Sequence, residues 1–223
     1  IYEPVKNSMT GKVTFVLSKR PGVTDSGLTI GGNTQVPYLV IPLPTSNPWM
    51  VNVLSDAIRV SDSAATNTTL FTDATYKPTY FTRMLVSGTE NIIVQTSTTA
   101  GATKNYFASV IGSWTEITDG DFPASTLRGK LEPMDGYLFG LASDNYIYNS
   151  DLNSISAWTS GNKILKQIQQ DAARGLIRFG NQIIALGLNT AEVFLNRNVT
   201  GSGSPLVAVK ELFSRTGLAM DDV

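Results

Sequence analysis

The sequence predicts an all-β protein: part of a β-propeller, built from several short four-stranded blades, with an extended N-terminal arm. Three observations support this prediction: few charged residues, apolar strands that recur with a near-constant period, and aromatic residues at one place in each repeat. Charged residues make up 16% of the 223-residue chain, against about a quarter in average soluble domains. Ser, Thr, Asn and Gly fill polar positions instead, which is typical of sheet surfaces and turns.

The repeat is the strongest sign of a propeller. Three apolar strands recur 45 and 46 residues apart. They occupy residues 91–95, 136–140 and 182–186. An aromatic-bearing strand follows each of them after a polar turn. These second strands occupy residues 105–108, 145–148 and 192–195.

Two further features extend the repeat. Trp-Thr pairs follow the first two units at Trp114 and Trp158, which are 44 residues apart. An earlier unit, residues 50–54 with 57–60, fits more loosely. A period of about 40 to 50 residues with several short strands and one aromatic marker is typical of a propeller blade. A β-sandwich with accidental spacing is the alternative, but the preserved order of elements favours the propeller.

The chain is predicted to divide into an N-terminal arm with edge strands, residues 1–48, and propeller blades, residues 49–223. Residues 12–17 are a strand candidate, and Pro21 and Gly22 mark the turn after it. Prolines punctuate residues 38–43, and because proline cannot donate to a strand ladder, this segment is predicted to be an edge strand or an extended strap. The blades are expected to be incomplete and to continue in a longer chain.

Residues 162–174 are the one segment that departs from the β pattern. Ile164, Leu165, Ile168 and Ala172 lie near helical spacing, and Gly175 could end a helix. A short helix and a strand at the edge of a blade are both consistent with this pattern.

The residue types exclude several kinds of active site. The chain has no histidine and no cysteine, so Ser-His-Asp and Cys-His arrangements, disulfides and thiolate metal sites are absent from it. Residues 200–205 are rich in glycine but lack the lysine of a phosphate-binding loop, and they are predicted to form a hairpin loop. We predict no catalytic, cofactor-binding or metal-binding residue and no enzymatic activity.

Charge and hydropathy limit the kinds of binding partner that the sequence predicts. The formal net charge is −1, so the sequence predicts no broad basic field and no general affinity for nucleic-acid phosphates. The close carboxylate pairs, Asp119 with Asp121 and Asp221 with Asp222, are interpreted as parts of solvated loops. No apolar run approaches the roughly 18 residues that would cross a bilayer.

The aromatic residues and one turn are predicted to have structural roles. Because the aromatic residues recur at one place in each unit, core packing is favoured over a platform for carbohydrates or bases. They are Trp49, Tyr106, Phe107, Trp114, Tyr137, Phe139, Tyr146, Tyr148, Trp158 and Phe194. Residues 151–158, which begin at Asp151, place the amide of Asn153 five residues before Trp158, a spacing similar to that of the Asp-box turn of sialidase-type propellers. In such turns the side-chain oxygen binds backbone amides and the indole packs in the core.

Four segments resemble the packaged-DNA stabilisation proteins, or tail hub and nozzle proteins, of short-tailed bacteriophages (podoviruses). Residues 148–158 are similar to the family's aspartate-containing turn before Trp. Residues 175–194 are similar to its paired strands, which end in a Thr-x-Glu-x-aromatic pattern at Thr190, Glu192 and Phe194. Residues 210–219 resemble the glycine-containing start of the next blade, and residues 19–22 resemble its Arg-Pro-Gly turn.

The resemblance implies a structural virion protein of the tail. Six copies would form a ring below the portal and adaptor proteins, retain the packaged DNA and form the ejection channel. The implied partners are other copies, portal and adaptor, fibre or tailspike and needle, and double-stranded DNA that passes without sequence-specific contacts. The alternative is a carbohydrate-binding or carbohydrate-acting propeller, such as a lectin or a phage adhesin.

Overall fold

The computed structural model describes residues 75–109, 114–166, 168–169, 171–197 and 203–218 in full, together with the backbone of six earlier strands. These strands are β1 (Tyr2–Lys6), β2 (Val13–Leu17), β3 (Tyr38–Ile41), β4 (Trp49–Val53), β5 (Ala57–Ser61) and β6 (Asn67–Thr72). β1 pairs with β2, which lies within the strand predicted at residues 12–17.

Twelve strands follow in the fully described part. They are β7 (Lys77–Val86), β8 (Thr89–Ser97), β9 (Thr103–Ser109), β10 (Thr115–Glu116), β11 (Leu127–Met134), β12 (Tyr137–Ala142), β13 (Tyr146–Ser150), β14 (Trp158–Leu165), β15 (Ala173–Phe179), β16 (Gln182–Gly187), β17 (Ala191–Asn196) and β18 (Leu206–Ser214). A short 3-10 turn, Ala124–Thr126, precedes β11.

Consecutive strands form four antiparallel four-stranded sheets: sheet 1 (β3–β6), sheet 2 (β7–β10), sheet 3 (β11–β14) and sheet 4 (β15–β18). The first strands of successive sheets touch, since β7 contacts β11 and β11 contacts β15. Meandering four-stranded sheets that pack face to face in chain order are the blades of a propeller. The chain is therefore all-β and forms part of a β-propeller.

The repeat in the sequence corresponds to one sheet. The three recurring apolar strands lie in β8, β12 and β16, the second strand of their sheets, and the aromatic-bearing strands lie in β9, β13 and β17. The looser unit, residues 50–54 and 57–60, falls on β4 and β5, the second and third strands of sheet 1. β3 is the edge strand of sheet 1, so this sheet already begins within the segment assigned to the arm.

Tight hairpins set the register of the first two strands in sheets 2, 3 and 4. Two residues separate the last pair in each case, at 87–88, 135–136 and 180–181. Ser87, Gly88, Asp135, Gly136 and Gly180 have positive φ angles. Positive φ at these positions gives turns whose twist matches that of the flanking strands.

Residues 162–174 contain no helix among those that the structure describes. Instead β14 extends to Leu165 as the edge strand of sheet 3, with Ile164 opposite Ile147 and Leu165 opposite Tyr146. A helix of about three turns is only marginally stable unless other parts of the protein pack against it. The strand is favoured here because β14 pairs with β13.

Two hydrophobic cores join sheets 2, 3 and 4. One lies between sheets 2 and 3 and includes Met84, Ile93, Leu131, Leu138 and Trp158. The other lies between sheets 3 and 4, with Phe139, Leu141, Ile147, Leu176, Ile183 and Phe194. Full burial of such a side chain contributes about 1.5 to 3 kcal/mol. Both faces of sheet 3 are thus covered.

Candidate functional site

The turn at Asp151 has a structural role. Asp151 Oδ1 accepts hydrogen bonds from Thr159 Oγ1 at 2.9 Å and Asn162 Nδ2 at 2.8 Å, so it ties the turn to β14. The backbone amide of Ala157 instead donates to Ser154 Oγ at 3.0 Å. Asp151 therefore binds two side chains of β14, and Trp158 is buried at 4% exposure, as expected.

Asp119, in the loop that connects β10 to β11, binds the same tryptophan. Its Oδ2 accepts the backbone N–H of Trp158 at 3.2 Å, and its Oδ1 accepts the N–H of Asp121 at 2.9 Å. The Trp158 ring packs at 4.8 Å, between centroids, from Phe122. Asp119 lies in a loop, as predicted, but it is half-buried, and its carboxylate ties this loop to the first residue of β14.

A buried charge network lies where the chain passes from sheet 3 to sheet 4. The Lys166 side chain is 0% exposed. Its Nζ donates to the Asp171 carboxylate, to Thr190 Oγ1 at 2.8 Å and to Gln169 O at 3.2 Å, and it lies 3.6 Å from Glu192 Oε1. All three ammonium protons therefore have partners, which offsets much of the cost of burying the charge.

The carboxylates of this network are anchored as well. Asp171 accepts the backbone N–H of Asn189 at 2.6 Å and the hydroxyl of Thr190 at 2.9 Å. Burial raises the pKa of Asp171, but the hydrogen bonds from Lys166, Asn189 and Thr190 and the charge of Lys166 outweigh it and hold that pKa below its usual range. The network therefore has a structural role: it holds the connection between β14 and β15 against β17.

No spacing in the sequence marked Lys166, Asp171 and Glu192 as partners. Their association depends on β17 lying beside the connection between β14 and β15, which is a tertiary contact. One signal was present: Lys166 directly follows the apolar pair Ile164 and Leu165, and a lysine that continues an apolar segment into the protein requires a carboxylate partner.

The aromatic positions divide between core and surface. Phe139, Trp158 and Phe194 are buried, as core packing predicts. Six others are half-buried, namely Tyr106, Phe107, Trp114, Tyr137, Tyr146 and Tyr148. Trp49 lies outside the part of the chain whose side chains the structure describes.

Two of the half-buried rings form a polar cluster on sheet 3. Lys163 Nζ lies 4.9 Å from the ring centre of Tyr146 and 5.2 Å from that of Tyr148. The Tyr148 hydroxyl donates to Asp144 Oδ2 at 2.8 Å. Burial and this hydrogen bond raise the pKa of Tyr148 to about 12, so the hydroxyl remains protonated at neutral pH. The exposed Lys163 covers both rings.

One side of sheet 4 is a candidate interaction surface. Ile177, Ile184 and Val193 are directly opposite one another, as are Gln182 and Leu195. Directly opposite side chains share a face. We name the face that they define the open face: Ile177, Phe179, Ile184, Leu186, Val193, Leu195 and Val207, with Gln182. Phe179 is 72% exposed and Ile177 42%.

Several predicted features lie partly or wholly outside the described residues. Asp221 and Asp222 are among them, and so is most of the glycine-rich segment, although residues 197–205 do connect the antiparallel strands β17 and β18. Within the described part, no group of three or more acidic residues could hold a metal ion. No described helix is long and apolar enough to cross a membrane.

No model of a known protein family matches the chain, and no curated protein matches it significantly. Among solved structures, BBS1N in complex with ARL6DN is 13% identical with a TM-score of 0.42, over 73% of this chain and 50% of that one. The AfRom2 CNH domain is 11% identical with a TM-score of 0.45, over 92% and 60%. The computationally designed Ika4 protein is 15% identical with a TM-score of 0.36, over 66% and 84%.

Proposed function

We propose that this chain is a structural subunit of a short-tailed bacteriophage tail, a hub or nozzle protein that assembles into a ring. The ring would lie below the portal and adaptor, retain packaged DNA and form the ejection channel. The observation that carries this proposal is the open face of sheet 4. An apolar sheet face with Phe179 and Ile177 exposed is suited to packing against a further sheet, either the next blade of a longer chain or a neighbouring copy.

The segments that resemble the tail proteins support the same role. Residues 148–158 form the end of β13 and the turn that Asp151 fastens to β14. Residues 175–194 form the hairpin β15–β16 and much of β17, which carry most of the open face. Residues 210–218 end β18 and lead out of sheet 4. The resemblance thus covers the parts of the chain that build the candidate interface.

The decisive experiment is electron microscopy of the full-length protein in its native particle and as purified protein. A closed ring with a central channel at the tail end is the expected image. The number of copies in that ring tests the expectation of six, and its neighbours test the portal, adaptor, tailspike and needle as partners. Isolated monomers that bind polysaccharide would contradict the proposal.

The second candidate function is carbohydrate binding, and the cluster on sheet 3 favours it. Tyr146 and Tyr148 lie together with the carboxylate of Asp144, which is the combination of aromatic rings and acid that sugar-binding surfaces use. Lys163 lies over both rings, however, so a sugar could stack on them after displacement of this side chain. The open face therefore gives the stronger argument.

A further inference from the structure

The first strands of sheets 2, 3 and 4 form a basic edge. Together β7, β11 and β15 contain six basic residues and one acidic residue, Glu132. The other nine strands of these sheets contain three basic and four acidic residues. The net charge of −1 for the whole chain therefore hides an uneven distribution of charge. The six cations are Lys77, Arg83, Arg128, Lys130, Arg174 and Arg178.

β7, β11 and β15 lie side by side and run in the same direction. β7 contacts β11, and β11 contacts β15. Thr79 near the start of β7 and Leu127 at the start of β11 line one cavity, so these two strands begin together. Arg178 Nη1, near the end of β15, donates to Pro133 O, near the end of β11, at 2.8 Å. These two strands therefore end together.

Each sheet places one cation at the end where these strands begin. Lys77 is the first residue of β7, and Arg128 and Arg174 are the second residues of β11 and β15. We name these three residues the basic rim. Lys77 is exposed, and Arg128 and Arg174 are half-buried. Neither Lys77 nor Arg128 forms an ion pair with a described residue, so an anion from outside the chain can balance their charge.

The spacing of the basic rim suits a chain of anions better than a single small anion. Packed sheets lie roughly 10 Å apart, so cations contributed by successive sheets recur at about that distance. One phosphate group cannot span it. A DNA strand presents a phosphate about every 3.4 Å of its axis, so one strand can contact all three cations. Two of the three are arginines, whose guanidinium groups form paired hydrogen bonds with phosphate.

We propose that the basic rim binds the phosphate backbone of double-stranded DNA without reading its sequence. DNA is named among phosphate polymers because the proposed tail protein would meet it, so this inference rests on the proposed function. The rim supplies charge and guanidinium donors, and contacts to phosphates carry no sequence information. A near-neutral chain can carry such a local site because its other strands balance the charge.

Fluorescence anisotropy of a labelled duplex, titrated with the full chain at several salt concentrations, tests the proposal. For three phosphate contacts, the logarithm of the association constant should fall with the logarithm of salt concentration with a slope of about −2.7. Lys77→Gln with Arg128→Gln should weaken binding and change the slope to about −0.9. Lys77→Gln alone, at an exposed position, should give about −1.8 and serves if the double variant does not fold.

A matched control removes the same residue types elsewhere. Lys210 in β18 and Arg215 directly after it are both exposed, and Lys210→Gln with Arg215→Gln should leave DNA binding unchanged. The proposal is overturned if the duplex does not bind, or if the two double variants lose affinity equally. Displacement of the duplex by polyglutamate at equal charge concentration would also overturn it and would indicate an acidic protein as the partner.

Electron microscopy separates this site from ring assembly. A ring formed by a chain that does not bind DNA would overturn only the DNA site. DNA binding that depends on the basic rim, in a chain that forms no ring, would contradict only the proposed function.

Discussion

At the scale of single residues, the Gln95 amide replaces a missing strand partner. The pairing of β11 with β12 is irregular between Arg128 and Glu132. Gln95 reaches this irregularity from sheet 2: its Oε1 accepts the N–H of Leu131 at 2.6 Å, and its Nε2 donates to Gly129 O at 3.2 Å. One side chain thus satisfies two backbone groups and joins two sheets.

Replacement of Gln95 by Glu tests this bridge. A carboxylate cannot donate to Gly129 O and brings a charge to a site that is 7% exposed, so we expect the free energy of unfolding to fall by about 1 to 3 kcal/mol. Urea denaturation at neutral pH measures it. Gln182→Glu, at the rim of the open face, is the matched control and should change stability by less than about 0.5 kcal/mol. Equal losses in both variants would contradict the bridge.

The Lys166 network makes a second prediction at this scale. Lys166→Met leaves the buried carboxylates of Asp171 and Glu192 without their cation, so the free energy of unfolding should fall by about 3 to 5 kcal/mol. Chemical denaturation measures the loss, and exposed Lys210→Met is the control. Adding Asp171→Asn and Glu192→Gln to the Lys166 variant should restore part of the stability. A Lys166→Met variant as stable as the wild type would show that the network does not stabilise the fold.

The same network predicts how stability depends on pH. The pKa of Asp171 is lower in the folded protein than in the unfolded chain. Its stabilising contribution is therefore complete above the unfolded pKa, about 4, and is lost as the pH falls through the folded value. Thermal melts across the acid range should show a smaller loss of stability for Asp171→Asn than for the wild type. Parallel curves for the two proteins would be the contrary result.

At the scale of elements, sheets 2, 3 and 4 each keep a backbone hydrogen bond after the fourth strand ends. Its acceptor lies in the third strand of sheet 2, directly before the third strand of sheet 3, and at the end of the second strand of sheet 4. Ile117 donates to Asn105 O at 2.8 Å, Lys166 to Asn145 O at 2.9 Å and Leu218 to Gly187 O at 2.8 Å.

Gly217 makes the exit from sheet 4 possible. A side chain there would collide with the carbonyl oxygen of Gly187 and lie 2.6 Å from Asn189 N, both of them backbone atoms. Gly217→Ala should lower the free energy of unfolding by about 1 to 3 kcal/mol, as measured in urea. Gly161→Ala on β14 is the control, because no atom lies within 4 Å of the position that its methyl group would take, and it should be neutral or slightly stabilising. Similar losses in the two variants would rule out the close approach as the cause.

At the scale of the whole molecule, the open face predicts self-association. Phe179 and Ile177 expose apolar surface beside the half-buried Ile184, Val193 and Leu195, so this chain alone should associate with increasing concentration. Light scattering should show less association for Phe179→Ser with Ile177→Thr. Leu152→Ser removes a residue of comparable exposure, 58%, away from that face and serves as the control. A wild-type chain that remains monomeric and melts cooperatively would count against the interface.

Much of the fold was accessible from the sequence because its signals are local. The spacing of apolar strands and the order of aromatic strands depend on neighbours along the chain, and both correspond to one sheet each. Trp158 also lies in the core, as its position in the repeat predicts. The sequence alone did not determine the conformation of residues 162–165, because their apolar spacing is compatible with both a helix and a strand. Pairing with β13 makes them the end of strand β14.

The sequence by itself determined that the chain is built from repeated antiparallel sheets, because alternation, turn residues and period act within one unit. The tertiary structure decided which polar groups meet. Lys166 with Glu192, Asp119 with Trp158 and Gln95 with Gly129 are each more than 20 residues apart and come together only when sheets pack. It also decided that one face of sheet 4 is exposed, because alternation along a strand shows that a face is apolar and only packing shows whether that face is covered.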